Sequence, residues 1–158
     1  MTYPLSTDKD YTLWVLLAQA EDMVFKAGEK ELRQYGISPE EAAVLFIVQT
    51  LGNKATPSEI SRWLLRKPHT VSGILSRMEK RGLVTKNRDL DRKNLVRVRL
   101  TEKGEQAYHQ STRIDSIHKM MASLSEEERQ QLSSHLKTLR DRAFKELGVE
   151  LKPPFPQC

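Results

Sequence analysis

Residues 68–101 of this 158-residue chain read PHTVSGILSRMEKRGLVTKNRDLDRKNLVRVRLT. The first part repeats apolar residues at the spacing of a helix, whereas the last part alternates apolar and basic residues as a half-buried strand does. The change of period predicts a helix, a strand from Leu83 to Arg88 and a second strand from Val96 to Leu100. The polar segment 89–94 between the strands predicts a two-stranded hairpin with a basic tip.

The helix predicted from Pro68 to Arg81 has two different faces, and Gly82 ends it. Its apolar face carries Val71, Ile74, Leu75 and Met78. Its other face carries His69, Thr70, Ser72, Gly73, Ser76, Arg77 and Lys80. A helix fits the major groove of DNA, where base edges present a distinct pattern of donors and acceptors. Small residues on the outer face would let the backbone come close to those edges.

Further helices are predicted on both sides of this stretch. Helical spacing covers residues 8–35, and the start signals Ser38-Pro39-Glu40-Glu41 and Thr56-Pro57-Ser58-Glu59 begin the next two helices. A fifth helix is predicted from Thr101 through Met121, and a sixth from a capping box at Ser125–Glu128 to Leu147. The fold class is therefore mainly α with a small two- to three-stranded β wing, a winged helix-turn-helix with further helices at its N- and C-terminal ends.

The charge of the chain is concentrated in its centre. The whole chain has 26 Lys and Arg and 21 Asp and Glu, a net charge of +5. Residues 54–103 hold 14 of the basic and 5 of the acidic residues, which leaves the flanks at −4. A polyanionic partner explains such segregation, although a solvated basic surface is an open alternative.

The predicted DNA contacts fall into three groups. Candidates for reading bases on the helix are His69, Thr70, Ser72, Gly73 and Arg77, and Ser76 is a further DNA-binding candidate whose small size lets the backbone approach the groove. Candidates for phosphate contacts are Arg66, Lys67, Lys80, Arg97 and Arg99. Candidates on the wing are Arg88, Arg92 and Lys93, because an arginine at a hairpin tip can enter the minor groove. For each residue alone, a solvated surface position is the alternative.

The stretch TVSGILSRMEKRGLV at 70–84, the wing residues Asp91-Arg92-Lys93 and the exit VRVRLTEKG at 96–104 resemble the MarR family of transcription regulators. The resemblance implies a homodimer whose winged lobes bind the two halves of a palindrome. It also implies a repressor that a small aromatic ligand releases. On this basis residues 1–158 form one domain, with dimerisation helices at 8–35 and 102–147, a DNA-binding lobe at 38–101 and a flexible tail at 149–158.

The chain departs from the family pattern in two places. Asp91-Arg92-Lys93 sits about one residue early relative to the following strand, so which of Arg92 and Lys93 occupies the wing tip stays open. The peroxide-sensing members of the family use a cysteine in the N-terminal region, whereas the one cysteine here is Cys158. We therefore do not expect thiol sensing by that route.

The resemblance also places a ligand cleft between the dimerisation helices and the winged lobe. Candidates to line it are Trp14, Phe46, Trp63, His118 and Met121. The alternative for most of them is ordinary core packing, since aromatic residues and methionine at helical spacing usually pack in the core.

Other function classes lack support in the sequence. The four histidines show no metal-ligand spacing, and the chain has no Gly-rich phosphate loop and no nucleophile motif, so we expect no enzyme, no metal and no cofactor. No apolar run approaches the roughly 20 residues of a membrane helix, and no secretory signal is evident, so we expect a cytoplasmic protein. The alternative function is a winged-helix dimer that binds protein instead of DNA, which the basic residues of the predicted recognition face argue against.

Overall fold

The computed structural model describes residues 8–89, 91–92 and 94–149. Its elements are α1 (Lys9–Gln34), α2 (Pro39–Leu51), α3 (Pro57–Leu64), α4 (Pro68–Lys80), β1 (Val84–Arg88), β2 (Val96–Leu100), α5 (Glu102–Thr112), α6 (Asp115–Met121) and α7 (Glu126–Glu146). The two strands pair antiparallel, with Val84 opposite Leu100 and Arg88 opposite Val96. The predicted fold class, mainly helical with a β wing, is confirmed.

Two of the predicted helix starts are reciprocal capping boxes. The hydroxyl of Ser38 accepts the amide of Glu41 at 3.2 Å, and the carboxylate of Glu41 accepts the amide of Ser38 at 3.0 Å. Ser125 and Glu128 exchange the same pair of hydrogen bonds at the start of α7. Each box satisfies two backbone amides that a helix leaves without partners, which is why these short patterns predict helix starts reliably.

The core lies inside the lobe that α2 to α5 form with the hairpin. Its largest fully buried side chains include Leu45, Ile60, Leu75 and Met78, from α2, α3 and α4. Burying each such side chain contributes about 1.5–3 kcal/mol. The amide of Val98 donates to the carbonyl of Ala55 at 2.9 Å, so β2 is also bonded to the segment that precedes α3. The recognition helix and the wing therefore share one core.

The predicted continuous fifth helix was wrong, because the chain forms α5 and α6 with a break at Arg113. Helix α5 packs against α2, where Ala107 is buried, whereas α6 packs against α1. The carboxylate of Glu31 in α1 accepts the backbone amides of Asp115 at 2.8 Å and Ser116 at 2.9 Å. Helical periodicity reports the spacing of apolar residues, and it does not report that two halves of a pattern face different partners.

Helices α1 and α7 leave apolar side chains in solvent. The exposed ones on these helices include Leu13, Trp14, Leu16, Met23, Phe25, Leu132, Leu136 and Leu139. Trp14 is 61% exposed and Leu139 is 51% exposed. Soluble monomers rarely expose contiguous apolar faces of this extent. No helix in the described part of the chain combines the length and the apolar character that crossing a membrane requires.

Candidate DNA-binding surface

Helix α4 presents the face that the sequence predicts. Its apolar side chains are buried in the lobe core, which turns the opposite side toward solvent. The residues exposed there are His69, Thr70, Ser72, Arg77 and Lys80, and the partly buried ones are Gly73 and Ser76. An ideal Cβ on Gly73 would lie 3.7 Å from Nη1 of Arg77, so this arginine extends across the glycine.

Several cations beside α4 and on the wing are not neutralised. Within the described residues, the ones that enter no ion pair are Arg66, Lys67, Arg77, Lys80, Arg88, Arg92 and Arg99. All seven are exposed. Lys86 differs, since its ammonium lies 3.0 Å from the carboxylate of Glu79. These seven unpaired cations lie on α4, just before it or on the wing that follows it, and they form the electrostatic footprint expected for a polyanion.

The carboxylate of Asp89 organises the start of the wing turn. Its Oδ1 accepts the backbone amides of Asp91 at 2.9 Å and Arg92 at 3.3 Å. The amide of Leu95 donates to the carbonyl of Arg92 at 2.8 Å on the other side of the turn. Arg92 is exposed, whereas Lys93 lies outside the described residues, so the occupant of the wing tip stays a prediction.

Arg97 is engaged within the protein, although the sequence analysis made it a phosphate contact. Its Nε and Nη2 donate to Oδ2 of Asp89 at 3.0 and 2.9 Å, and its Nη1 donates to the carbonyl of Asn53. The backbone amide of Asp91 and the guanidinium of Arg97 lower the pKa of the Asp89 carboxyl below its ordinary value. Arg97 thus ties the wing to the turn before α3, whereas Arg99, two residues further along β2, is exposed.

Asp89 organises the wing turn, and it was not among the residues predicted from the sequence. The sequence did indicate this role, because an aspartate at the first position of a turn commonly accepts backbone amides further along the chain. The pairing of Asp89 with Arg97 carried no comparable signal, since the two residues meet only once the hairpin has formed.

A large apolar cavity of about 550 Å³ lies between α1, α6 and α7. Its lining residues are Leu17, Ala20, Glu21, Val24, Phe25, Gly28, Glu29, Leu32, Pro39, Ile114, Ile117, Met121, Leu132 and Leu136. Glu21 and Glu29 are the ionisable groups in this lining, and Glu29 is paired with Arg33 at 2.9 Å. A second hollow of about 600 Å³ shares Leu17 and Leu136 with the first, so the two form one trough along α1 and α7.

The five predicted ligand-lining residues do not come together. Met121 lines the first cavity and Trp14 lines the second hollow. Trp63 is 7% exposed in the core of the lobe. Phe46 and His118 are exposed and line neither space. The spacing of apolar residues predicts which side of a helix is apolar, but it does not predict which other helix that side faces. The residues of α1 and α7 that line the first cavity were therefore not predicted.

A recognition helix, a short turn before it and a basic hairpin behind it define a winged helix-turn-helix protein. A family model described as MarR family matches residues 35–93. No curated protein matches the sequence.

Solved structures agree with the family model. The organohalide-sensing transcriptional regulator RdhR, solved with 2,4-dichlorophenol bound, is 34% identical with a TM-score of 0.83, and the match covers 100% of this chain and 96% of that one. S. aureus MepR in complex with DNA is 22% identical with a TM-score of 0.75, over 86% and 99% of the two chains. A mutant of E. coli MarR with operator DNA is 21% identical with a TM-score of 0.73, over 81% and 93%.

The chain belongs to the MarR family of winged-helix transcription regulators. Members of this family are regulators and not enzymes, so the prediction that the chain is not an enzyme is confirmed.

Proposed function

We propose that this chain is a homodimeric transcription repressor that binds a palindromic DNA site and releases it when a small aromatic ligand binds. The observation that carries the proposal is the exposed face of α4, whose cations have no ion-pair partner among the described residues and which stands beside a basic wing. Such a protein acts where the DNA is, which agrees with the predicted cytoplasmic location.

Each part of this surface suits a different kind of contact. The short polar side chains of α4, with Arg77, suit base edges in the major groove. Lys80 and Arg66 suit phosphates, which supply affinity without sequence preference. Arg92 suits the minor groove or a phosphate beside it. The MepR and MarR structures of similar fold contain DNA, which supports the same use of this surface.

A second copy of the chain is the proposed cover for the apolar faces of α1 and α7. Both faces carry exposed leucines at helical spacing, and Phe144 is the one buried residue among those of α7. Two lobes related by a two-fold axis would match the symmetry of a palindrome.

We propose that the ligand is an uncharged aromatic compound held in the cavity between α1, α6 and α7. The cavity lining is almost entirely apolar, and its ionisable groups are two carboxylates with no Lys, Arg or His. An aromatic carboxylate would therefore enter without a cationic partner, at a cost in desolvation. The 2,4-dichlorophenol complex of RdhR supports the choice of a phenol.

The first experiment titrates the full chain against the DNA upstream of its own gene and against a scrambled duplex, at several salt concentrations. We expect tight binding of one dimer to the first duplex and a decline in affinity as salt increases. Equally weak binding to both duplexes would contradict the proposal and favour the alternative of a protein-interaction module.

The ligand is tested separately with a matched pair, 2,4-dichlorophenol and 2,4-dichlorobenzoate. We expect the phenol to raise the melting temperature and weaken DNA binding, and the benzoate to do neither. Stronger effects from the benzoate would contradict the proposed charge preference while leaving the DNA-binding proposal intact.

A further inference from the structure

A short turn directly after α4, formed by Arg81, Gly82 and Leu83, contacts both the segment where the chain enters the winged lobe and the start of α5. We call it the 81–83 turn. The chain enters the lobe through residues 35–38, between α1 and α2, and the segment between β2 and α5 leads into the last helix of the lobe. Hydrogen bonds join both segments to this turn.

At the entry crossing, one guanidinium bridges the end of α1 and the start of α2. Nη2 of Arg81 donates to the carbonyl of Gly36 at 2.6 Å, and Nη1 lies 2.6 Å from both carboxylate oxygens of Glu41. The same carboxylate accepts the amide of Ser38. Its side chain is only 10% exposed, so the arginine is the charged partner of a nearly buried group.

The first turn of α5 is bonded to the same three residues. The amide of Thr101 donates to the carbonyl of Leu83 at 3.1 Å, and its hydroxyl donates to the carbonyl of Gly82. The ammonium of Lys103 donates to the carbonyl of Arg81 at 2.8 Å. A Cβ on Gly104 would lie 2.0 Å from the carbonyl oxygen of Leu83, so the glycine permits this close approach.

We propose that Arg81 is a positioning residue that sets the direction of α4 relative to α1 and α5, and thereby the spacing between half-sites that the dimer accepts. This inference rests on the proposed function, a dimer on a palindrome. Arg81 lies in the basic segment, but its guanidinium is occupied within the protein, unlike those of Arg66 and Arg77. While Arg81 keeps its bonds to Gly36 and Glu41, the dimer should bind poorly to sites with an altered spacing. When those bonds are lost, it should tolerate such sites.

DNA geometry makes this spacing a sensitive readout. Moving one half-site by one base pair shifts it by about 3.4 Å and rotates it by about 34° around the helix axis. The probes are a palindrome selected by the wild-type chain from a random pool, and the same palindrome with its half-sites moved by one and two base pairs in each direction. The measured quantity is the ratio of affinity at the preferred spacing to affinity at each altered spacing.

We expect Arg81→Gln to lower this ratio by about fivefold or more, a coupling at the lower end of the usual range. Lys80→Gln is the matched control, since it removes the same charge from the neighbouring exposed residue. It should lower affinity at every spacing and leave the ratio unchanged. An unchanged ratio in Arg81→Gln, with affinity lost equally at every spacing, would make Arg81 an ordinary phosphate contact and overturn the inference.

Glu41→Gln tests the bridge between Arg81 and Glu41 without removing a basic group. Its amide oxygen can still accept the amide of Ser38, but the charge partner of Arg81 is lost. We expect Glu41→Gln to lower the ratio of affinities while leaving affinity at the preferred spacing unreduced. An unchanged ratio would count against a positioning role for the Arg81–Glu41 pair. A wild-type protein with no preferred spacing would overturn the proposed function itself, and the inference with it.

Discussion

Gly73 allows the fit of α4 to DNA to be tested apart from the stability of the protein. An alanine there would meet only the end of the Arg77 side chain, at ordinary contact distance. Alanine is favoured over glycine inside a helix by about 1 kcal/mol, so Gly73→Ala should raise the melting temperature. If the α4 backbone lies close to base edges, the added methyl group should lower DNA affinity severalfold. A more stable variant with full DNA affinity would contradict this close approach.

The two wing arginines, Arg92 and Arg97, are expected to behave differently when each is replaced by alanine. Arg92 is exposed, so Arg92→Ala should leave the melting temperature unchanged and reduce the slope of log affinity against log salt by about one unit. Arg97 holds Asp89, so Arg97→Ala should lower the melting temperature and loosen the wing. Titrations at several salt concentrations, with thermal melts, distinguish the two. The assignments would be wrong if Arg97→Ala changed the salt slope alone.

Among the helices, α6 depends on a carboxylate from α1. Hydrogen bonds from the hydroxyl of Ser116 and from the amides of Ser116 and Asp115 lower the pKa of Glu31. A lowered folded-state pKa contributes stability that is present above the ordinary value of 4.5 and is lost as the pH falls through the lowered value.

We therefore expect the melting temperature of the wild-type chain to fall as the pH drops below about 4.5, in part through Glu31. In Glu31→Gln the melting temperature should already be lower at neutral pH, and its decline in acid should be shallower. Melts between about pH 3 and pH 7 measure both curves. Parallel curves for the two proteins would show that Glu31 does not supply this pH dependence.

Sequence patterns predicted the helix starts better than the helix continuity. Ser38 and Ser125 act within four residues of chain, so their capping boxes were visible in the sequence. The cap of α6 comes from Glu31, more than eighty residues away, and no local pattern records it. The break at Arg113 was missed for the same reason, because it reflects two packing partners and not a breaker residue.

For the whole molecule, the exposed apolar faces of α1 and α7 make dimerisation testable. Leu136 lines the trough between these helices and is 42% exposed in the single chain. Leu136→Asp would place a charge in the proposed interface, so it should weaken the dimer and make apparent stability fall on dilution. Sedimentation across a concentration series measures this. Ser134→Asp, on another face of the same helix, is the matched control and should remain dimeric, and a Leu136→Asp dimer that resists dilution would place the interface elsewhere.

By itself the sequence determined the class of protein and which face of α4 is exposed. The change of period after Leu83, the glycine-ended helices and the central excess of positive charge are local properties, and they predicted the winged lobe and the exposed face of α4. Contacts between distant residues were decided only by the tertiary structure. Arg97 is held by Asp89 only once the hairpin has formed, and Arg81 reaches Glu41 and Gly36, more than 35 residues earlier in the chain, only after the helices have packed.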